Sequence, residues 1–169
     1  MRVKFVVSLA LLVASAAPAA APKSPTQFQT RILALHNAQR AEVRLPPLAW
    51  DDSLAAGAQA WADHMAATGQ FDHSDRHARR GIGENIWNGT RGSYTVEDGV
   101  RTWISDRRNF VPGVFPNVSI SGWYSVSHYT QIIWPKTTRI GCGMASSSSS
   151  DYLVCRYSPA GNIDGVHVP

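Results

Sequence analysis

Ser127-His128-Tyr129-Thr130-Gln131-Ile132-Ile133-Trp134 sets one titratable side chain at the head of a short aromatic and aliphatic run. Ser127 has the side chain of an N-cap, a hydroxyl able to accept from a free backbone N–H of the following turn. That reading places His128 beside a helix start, facing whatever cavity the apolar residues wall off. Two roles fit such a histidine. It is a ligand or catalytic group, or it is a partly buried residue that satisfies a neighbouring backbone group. The surrounding chain has to decide.

Immediately downstream, Arg139 to Ala145 and Tyr152 to Tyr157 read as strands joined by the serines 146 to 150, the pattern of a hairpin with a flexible loop. The two cysteines, Cys142 and Cys155, fall on these strands 13 positions apart. A CxxC redox motif is excluded by that spacing, and a single structural disulfide is the favoured assignment. Closing a loop of this length stabilises a fold by roughly 2–4 kcal/mol.

Upstream the chain is helical. Phe28, Ile32, Leu35 and Ala38 recur at one-turn spacing from Thr26 onward, with Arg31, Gln39 and Arg40 placed elsewhere, and Pro46 and Pro47 bound the helix. Asp51 or Asp52 can cap a second helix whose face is Leu54, Ala58, Trp61, Ala62 and Met65, with Gly69 as its stop. After a polar loop over Phe71 to Gly83, Glu84 to Trp87 reads as a short strand broken by Gly89 and Gly92. Thr95 and Asp98 then form a capping box for a third helix, with Val96, Val100, Trp103 and Ile104 inward. Phe110 to Tyr124 is an aromatic-rich loop. Early helices, a late hairpin and no βαβ rhythm predict an α+β fold.

The 169 residues suffice for one domain. The first 21 read as a secretory signal peptide: Arg2 and Lys4, an apolar run from Phe5 to Ala14, then small residues. Residues 22–169 form the predicted domain, with a core over about residues 26–162, exported to the extracellular space or the periplasm. Without the leader, 14 Lys and Arg stand against 12 Asp and Glu, a formal charge of +2 instead of +4. Arg76, Arg79 and Arg80 cluster but lack interleaved aromatics, so they read as a solvated loop and not as a nucleic-acid site. No later stretch has the length and apolarity of a membrane anchor. A monomer is the default assembly.

Four residues carry the candidate chemistry: His73, Glu84, Asp106 and His128. Asp106 lies three residues after Trp103, on about the same helix face. Two imidazoles and two carboxylates make a mixed nitrogen and oxygen donor set, suited to zinc or manganese. They come from separate elements with no short metal motif, so spacing alone does not bring them together.

Read in order, the chain resembles the CAP superfamily: cysteine-rich secretory, antigen 5 and pathogenesis-related 1 proteins, also called SCP domains. The pieces that carry the resemblance are His36-Asn37 with Arg40, Leu48-Ala49-Trp50-Asp51, His73-Ser74, Gly83-Glu84-Asn85 and Trp103-Ile104-Ser105-Asp106. They continue through the block His128 to Trp134, Ile140-Gly141-Cys142-Gly143 and Cys155-Arg156-Tyr157-Ser158-Pro159-Ala160-Gly161-Asn162. The opening block, followed by the two cysteine motifs, is the most specific part.

The resemblance implies a three-layer α-β-α sandwich with a small, mainly antiparallel central sheet. It also implies a cleft holding His73, Glu84, Asp106 and His128 as a tetrad, with His73 and His128 as ligands of zinc or another divalent cation. Sterols, fatty acids and protein partners are ligand classes of the superfamily. Three departures matter. Asp106 stands where Glu is usual, drawing the carboxylate back by about 1.5 Å, one C–C bond, so that it acts through water more readily than as a direct ligand. Ser127 replaces the usual glycine. The sequence also lacks the cysteine-rich extension and further disulfides of channel-blocking venom relatives, which disfavours that role.

The functional expectation is a secreted binding module with a metal and a lipid or protein partner. The alternatives are a zinc-dependent hydrolase with Glu84 as the base and an interaction-only domain in which the tetrad is structural. No Gly-x-Ser-x-Gly elbow or free thiol offers a nucleophile, which favours binding over catalysis. His36 and Asn37 read as internal hydrogen-bonding groups, and His77 as an exposed residue or an accessory ligand. The six tryptophans read as core pieces, with Trp123 and Phe115 as residues that rim the cleft.

Overall fold

Local signals set the helix ends. Thr26 caps α1 (Gln27–Glu42) through a reciprocal capping box: its hydroxyl accepts from the Gln29 N–H, and the Gln29 side chain accepts from the Thr26 N–H. Asp51 caps α2 (Asp52–Thr68) by accepting from the N–H groups of Ser53 and Leu54, and Gly69 closes that helix in the left-handed conformation at φ 73°. Thr95 and Asp98 cap α3 (Val96–Ser105) as expected. Each cap contributes roughly 0.5–2 kcal/mol. This computed structural model describes residues 26–169; the segment read as a signal peptide lies outside the described residues.

The fourth helix, α4 (Ser127–Ile132), corrects one expectation. Ser127 is its first helical residue and not its cap, and no side chain caps this helix. A 3₁₀ turn over Trp123–Ser125 runs almost directly into it. The Ser127 hydroxyl therefore meets a carbonyl of that turn first and donates to Tyr124 O at 3.1 Å.

Four strands form the central sheet in the order β1-β4-β5-β2, from β1 (Ala49–Trp50), β2 (Gly83–Thr90), β4 (Arg139–Ser146) and β5 (Ser150–Ser158). All pairs are antiparallel except β1 with β4. β3 (Gly113–Val114) pairs separately with β6 (His167–Val168). The strand expected over Glu84 to Trp87 is longer, because ladder pairing continues through Gly89, opposite Asp151. The serine loop is correspondingly tight: Ser146 and Ser150 belong to the strands, and the Ser147 N–H donates to Ser150 O at 2.8 Å. Cys142 and Cys155 are direct cross-strand partners and form the disulfide, with Cα atoms 4.1 Å apart.

Strand alternation divides the core into two. Leu153, Cys155 and Tyr157 face α1, α3 and α4, packing with Ile32, Trp103, Ile132 and Trp134. Tyr152 and Val154 face α2, packing with Ala58, Ala62, Met65 and Ile86. The result is the α-β-α sandwich. Close packing of α2 requires Gly141, where a Cβ would lie 2.2 Å from the Ala55 backbone nitrogen.

Helix α1 departs from its expected face. Ile32 is buried, Phe28 and Leu35 are half-buried, and Ala38 is exposed. Arg40, assigned to the outside, is buried together with His36. Its guanidinium donates to the carbonyls of Pro46, Ile132, Trp134 and Thr137 at 2.8–3.0 Å. A cation meeting the last carbonyls of α4 also opposes the negative end of that helix. Burial lowers the Arg40 pKa to about 10.

Candidate functional site

Glu84 is the second residue of β2 and shares the strand face of Ile86, so it points toward the α2 layer. Oε1 accepts from His73 Nδ1 at 3.0 Å and from the Ser74 N–H at 2.9 Å. Oε2 accepts from Ser74 Oγ at 2.6 Å and Arg156 Nε at 3.2 Å, while Arg79 Nε lies 3.5 Å from Oε1. Register explains Arg156: it is the direct cross-strand partner of Glu84. Gly57 on α2 makes room for it, since a Cβ there would stand 2.5 Å from Arg156 Nη1. Burial by itself would raise the Glu84 pKa. Hydrogen bonds from His73 and Ser74, with the charge of Arg79, outweigh burial and hold it at about 2.

The second pair belongs to the opposite layer. Asp106 is the C-cap of α3 and opens the 3₁₀ turn Asp106–Asn109, one step past the helical position expected for it. Its Oδ2 accepts from His128 Nδ1 at 3.0 Å. Trp103 stacks against the imidazole, with ring centroids 6.4 Å apart and planes 21° from parallel. The indole is itself tied to the sheet, donating from Nε1 to Ile86 O at 3.1 Å.

The backbone of His128 is braced from the sheet. Asn85, adjacent to Glu84 but on the other strand face, donates from Nδ2 to His128 O and to the Tyr157 hydroxyl, each at 3.2 Å. Tyr157 in turn lies 2.9 Å from His36 Nε2, and His36 Nδ1 lies 2.9 Å from Ile32 O. A carbonyl only accepts, so Nδ1 carries the proton and Nε2 accepts from the phenol. Burial, only partly offset by the Ile32 carbonyl, lowers the His36 pKa from 6.5 to about 4. His36 is thus an internal hydrogen-bonding residue, as is Asn37, which exchanges hydrogen bonds with the Leu48 backbone.

His73 and His128 line one cleft of about 560 Å³. Glu84 forms part of its floor, and Asp106 stands behind His128 without bordering the cleft. The four residues are therefore two histidine–carboxylate pairs, one from each helical layer. In each pair an acceptor-only carboxylate places the proton on Nδ1 and leaves the Nε2 lone pair for another partner. Metal-binding imidazoles are oriented by this same second contact. Among the described residues no group of three or more His, Cys, Asp and Glu is placed to hold a metal ion. His77 is exposed and outside the cleft lining. Trp123 lines the cleft, while Phe115 is buried behind it with ring centroids 5.7 Å apart.

Sequence reasoning missed Ser74, Arg79 and Arg156 as partners of Glu84, and Arg40 as the clamp on α4. Arg156 carried a readable signal: it interrupts the otherwise apolar Tyr152 to Tyr157 strand.

The model of the cysteine-rich secretory protein (CAP) family matches residues 33–157. The chain belongs to the CAP family. It is 34% identical over 138 residues to pathogenesis-related protein 1C of Nicotiana tabacum, covering 81% of this chain and 78% of the relative. It is 33% identical over 151 residues to scoloptoxin SSD976 of Scolopendra dehaani, covering 78% and 68%. Among solved structures, NaASP2, crystallised with Zn²⁺, superposes with a TM-score of 0.69 at 24% identity, covering 82% of each chain. That likeness establishes the CAP fold. Among the described residues no helix is long and apolar enough to cross a membrane.

Proposed function

We propose that this CAP domain is an exported binding module whose cleft engages its ligand at the paired imidazoles of His73 and His128, with zinc or another divalent cation held by their Nε2 atoms. The observation that carries binding over hydrolysis is the state of Glu84. Its two oxygens accept four hydrogen bonds, Arg79 stands in ion-pair range, and its pKa is about 2. A general base near neutrality needs a higher pKa and a free lone pair facing the substrate.

A bound divalent ion would supply Lewis acidity and a fixed positive charge to a ligand in the cleft. Glu84 and Asp106 hold the two tautomers, and Trp103 fixes the plane of one ring. The N-terminal leader read from the sequence and the secretory family support export. NaASP2, solved with Zn²⁺, supports the choice of ion. A sterol or fatty acid finds little wall here, because Ile82 and Ala160 are the aliphatic residues of the cleft lining.

Zinc titration by calorimetry of the parent protein, His73→Ala and His128→Ala tests the proposal. Each substitution should weaken zinc by about tenfold or more, as loss of a ligand does where second contacts alone are worth 10–100-fold. Equal affinity in all three proteins removes the metal site.

A further inference from the structure

The charges around the cleft do not balance. Three arginines line it, Arg76, Arg79 and Arg80, against one carboxylate, Glu84. That carboxylate is already neutralised from below by Arg79 and Arg156. Asp75 is near enough to attract Arg79, yet it lies outside the lining and accepts the His77 N–H. Arg76 and Arg80 are exposed and form no ion pair among the described residues. Arg76 is also close enough to Arg79 to repel its charge. The arginines read from sequence as a solvated loop are, in the fold, one side of a cavity.

Trp123 and Tyr124 line the same cavity with 46% and 70% of their surface exposed. Trp123 is supported from behind by buried Phe115, so its indole is held as a platform. The amides of Asn85, Gln131 and Asn162 and the Ser127 hydroxyl also line the cavity, each already hydrogen-bonded within the fold. Exposed aromatic faces and unpaired guanidinium forks are a contact set for a sugar ring that carries a carboxylate or sulfate: the faces stack on the ring and the forks donate to the oxyanion. Arg pairs bidentately with such oxyanions, a charge-assisted contact that a neutral sugar does not offer. The cleft volume, about 560 Å³, falls in the range of about 300–1,000 Å³ that encloses a molecule of a few rings.

We infer that the cleft binds an acidic saccharide, a short oligosaccharide bearing carboxylate or sulfate groups, with Arg76 and Arg80 on the anionic groups and Trp123 stacked on a sugar face. This rests on the reading of the cleft as a binding site, but not on a metal in it. Glu84 stays committed to Arg79 and Arg156, so it does not repel the incoming anion.

The test is calorimetric titration with trigalacturonic acid, a sulfated trisaccharide, neutral maltotriose and inorganic sulfate. The proteins are the parent chain, Arg76→Ala/Arg80→Ala, Arg76→Lys/Arg80→Lys and Trp123→Ala. One or both acidic trisaccharides should bind, and the two together separate carboxylate from sulfate as the preferred group. Maltotriose and inorganic sulfate should bind about tenfold more weakly or worse. The alanine double variant should lose about tenfold, equivalent to roughly 1.4 kcal/mol. The lysine variant should fall between it and the parent, and Trp123→Ala should lose affinity at unchanged salt dependence.

Failure of both acidic trisaccharides to bind overturns the inference. So does equal binding of maltotriose, or of sulfate at the same sites, and so does full affinity in both the arginine and the tryptophan variants. Circular dichroism melts of the variants, whose altered side chains are all exposed, should match the parent. Zinc titration of the same proteins separates the two readings. Saccharide binding with zinc affinity unaffected by His73→Ala removes the metal alone, and the reverse result removes the saccharide alone.

Discussion

The two histidine–carboxylate pairs have the same chemistry and the same 3.0 Å contact, yet opposite parts of each are rigid. In the pair on the α2 side the carboxylate is immobile: the Glu84 side chain is 0% exposed and held by Ser74, Arg79 and Arg156, while His73 sits half in solvent. In the pair on the α3/α4 side the imidazole is fixed. Trp103 stacks on His128, Asn85 holds its carbonyl and Arg40 clamps the far end of its helix, while the Asp106 side chain is 19% exposed and accepts one hydrogen bond. A site assembled from two layers can thus locate one ring through its carboxylate and the other through its helix.

Removing the immobile carboxylate should give the largest effect. Glu84→Gln keeps the volume but strands two guanidinium groups against a neutral amide, and loss of one partner of a buried pair costs about 3–5 kcal/mol. Denaturant unfolding should show that loss; a change below about 1 kcal/mol would mean that the arginines find solvent instead.

Acid should break the two braces in different windows. His36 is held neutral, with its pKa lowered from 6.5 to about 4. Between those values the unfolded chain binds the extra proton and the native state does not. Stability is therefore complete above pH 6.5 and declines as pH falls toward 4, by roughly 3 kcal/mol. His36→Gln should flatten that slope. Glu84, lowered from 4.5 to about 2, loses its contribution only below pH 4.5. Stability measured from pH 7 to 3 should fall first through the brace beneath His128. An unchanged slope in His36→Gln would place the acid sensitivity elsewhere.

Asp106→Ala should have the smallest effect. One part-buried hydrogen bond is lost and nothing charged is left buried, so the cost should stay near about 1 kcal/mol. A loss as large as that of Glu84→Gln would show that the His128 ring depends on its carboxylate, and the contrast between the pairs would disappear.

The parts of this molecule legible in the sequence are those settled within a few residues. The capping boxes at Thr26 and Thr95, the Asp51 cap and the Gly69 stop are of this kind, because each is a hydrogen bond or a backbone conformation spanning one helical turn. The hairpin and its Cys142–Cys155 bridge follow from alternation and from there being two cysteines to pair. His73, Glu84, Asp106 and His128 were nameable by order and residue type, since the CAP motifs carry them. Tertiary structure alone decided their division into two pairs, because it depends on which strand face and which helical layer each residue joins. It also decided the burial of Arg40, whose charge is tolerated only where four carbonyls from separate segments converge. The unpaired arginines of the cleft likewise become meaningful only in the fold: Glu84 is neutralised by Arg79 and by a cross-strand partner 72 residues away in the chain, and sequence distance says nothing of a field that acts through space.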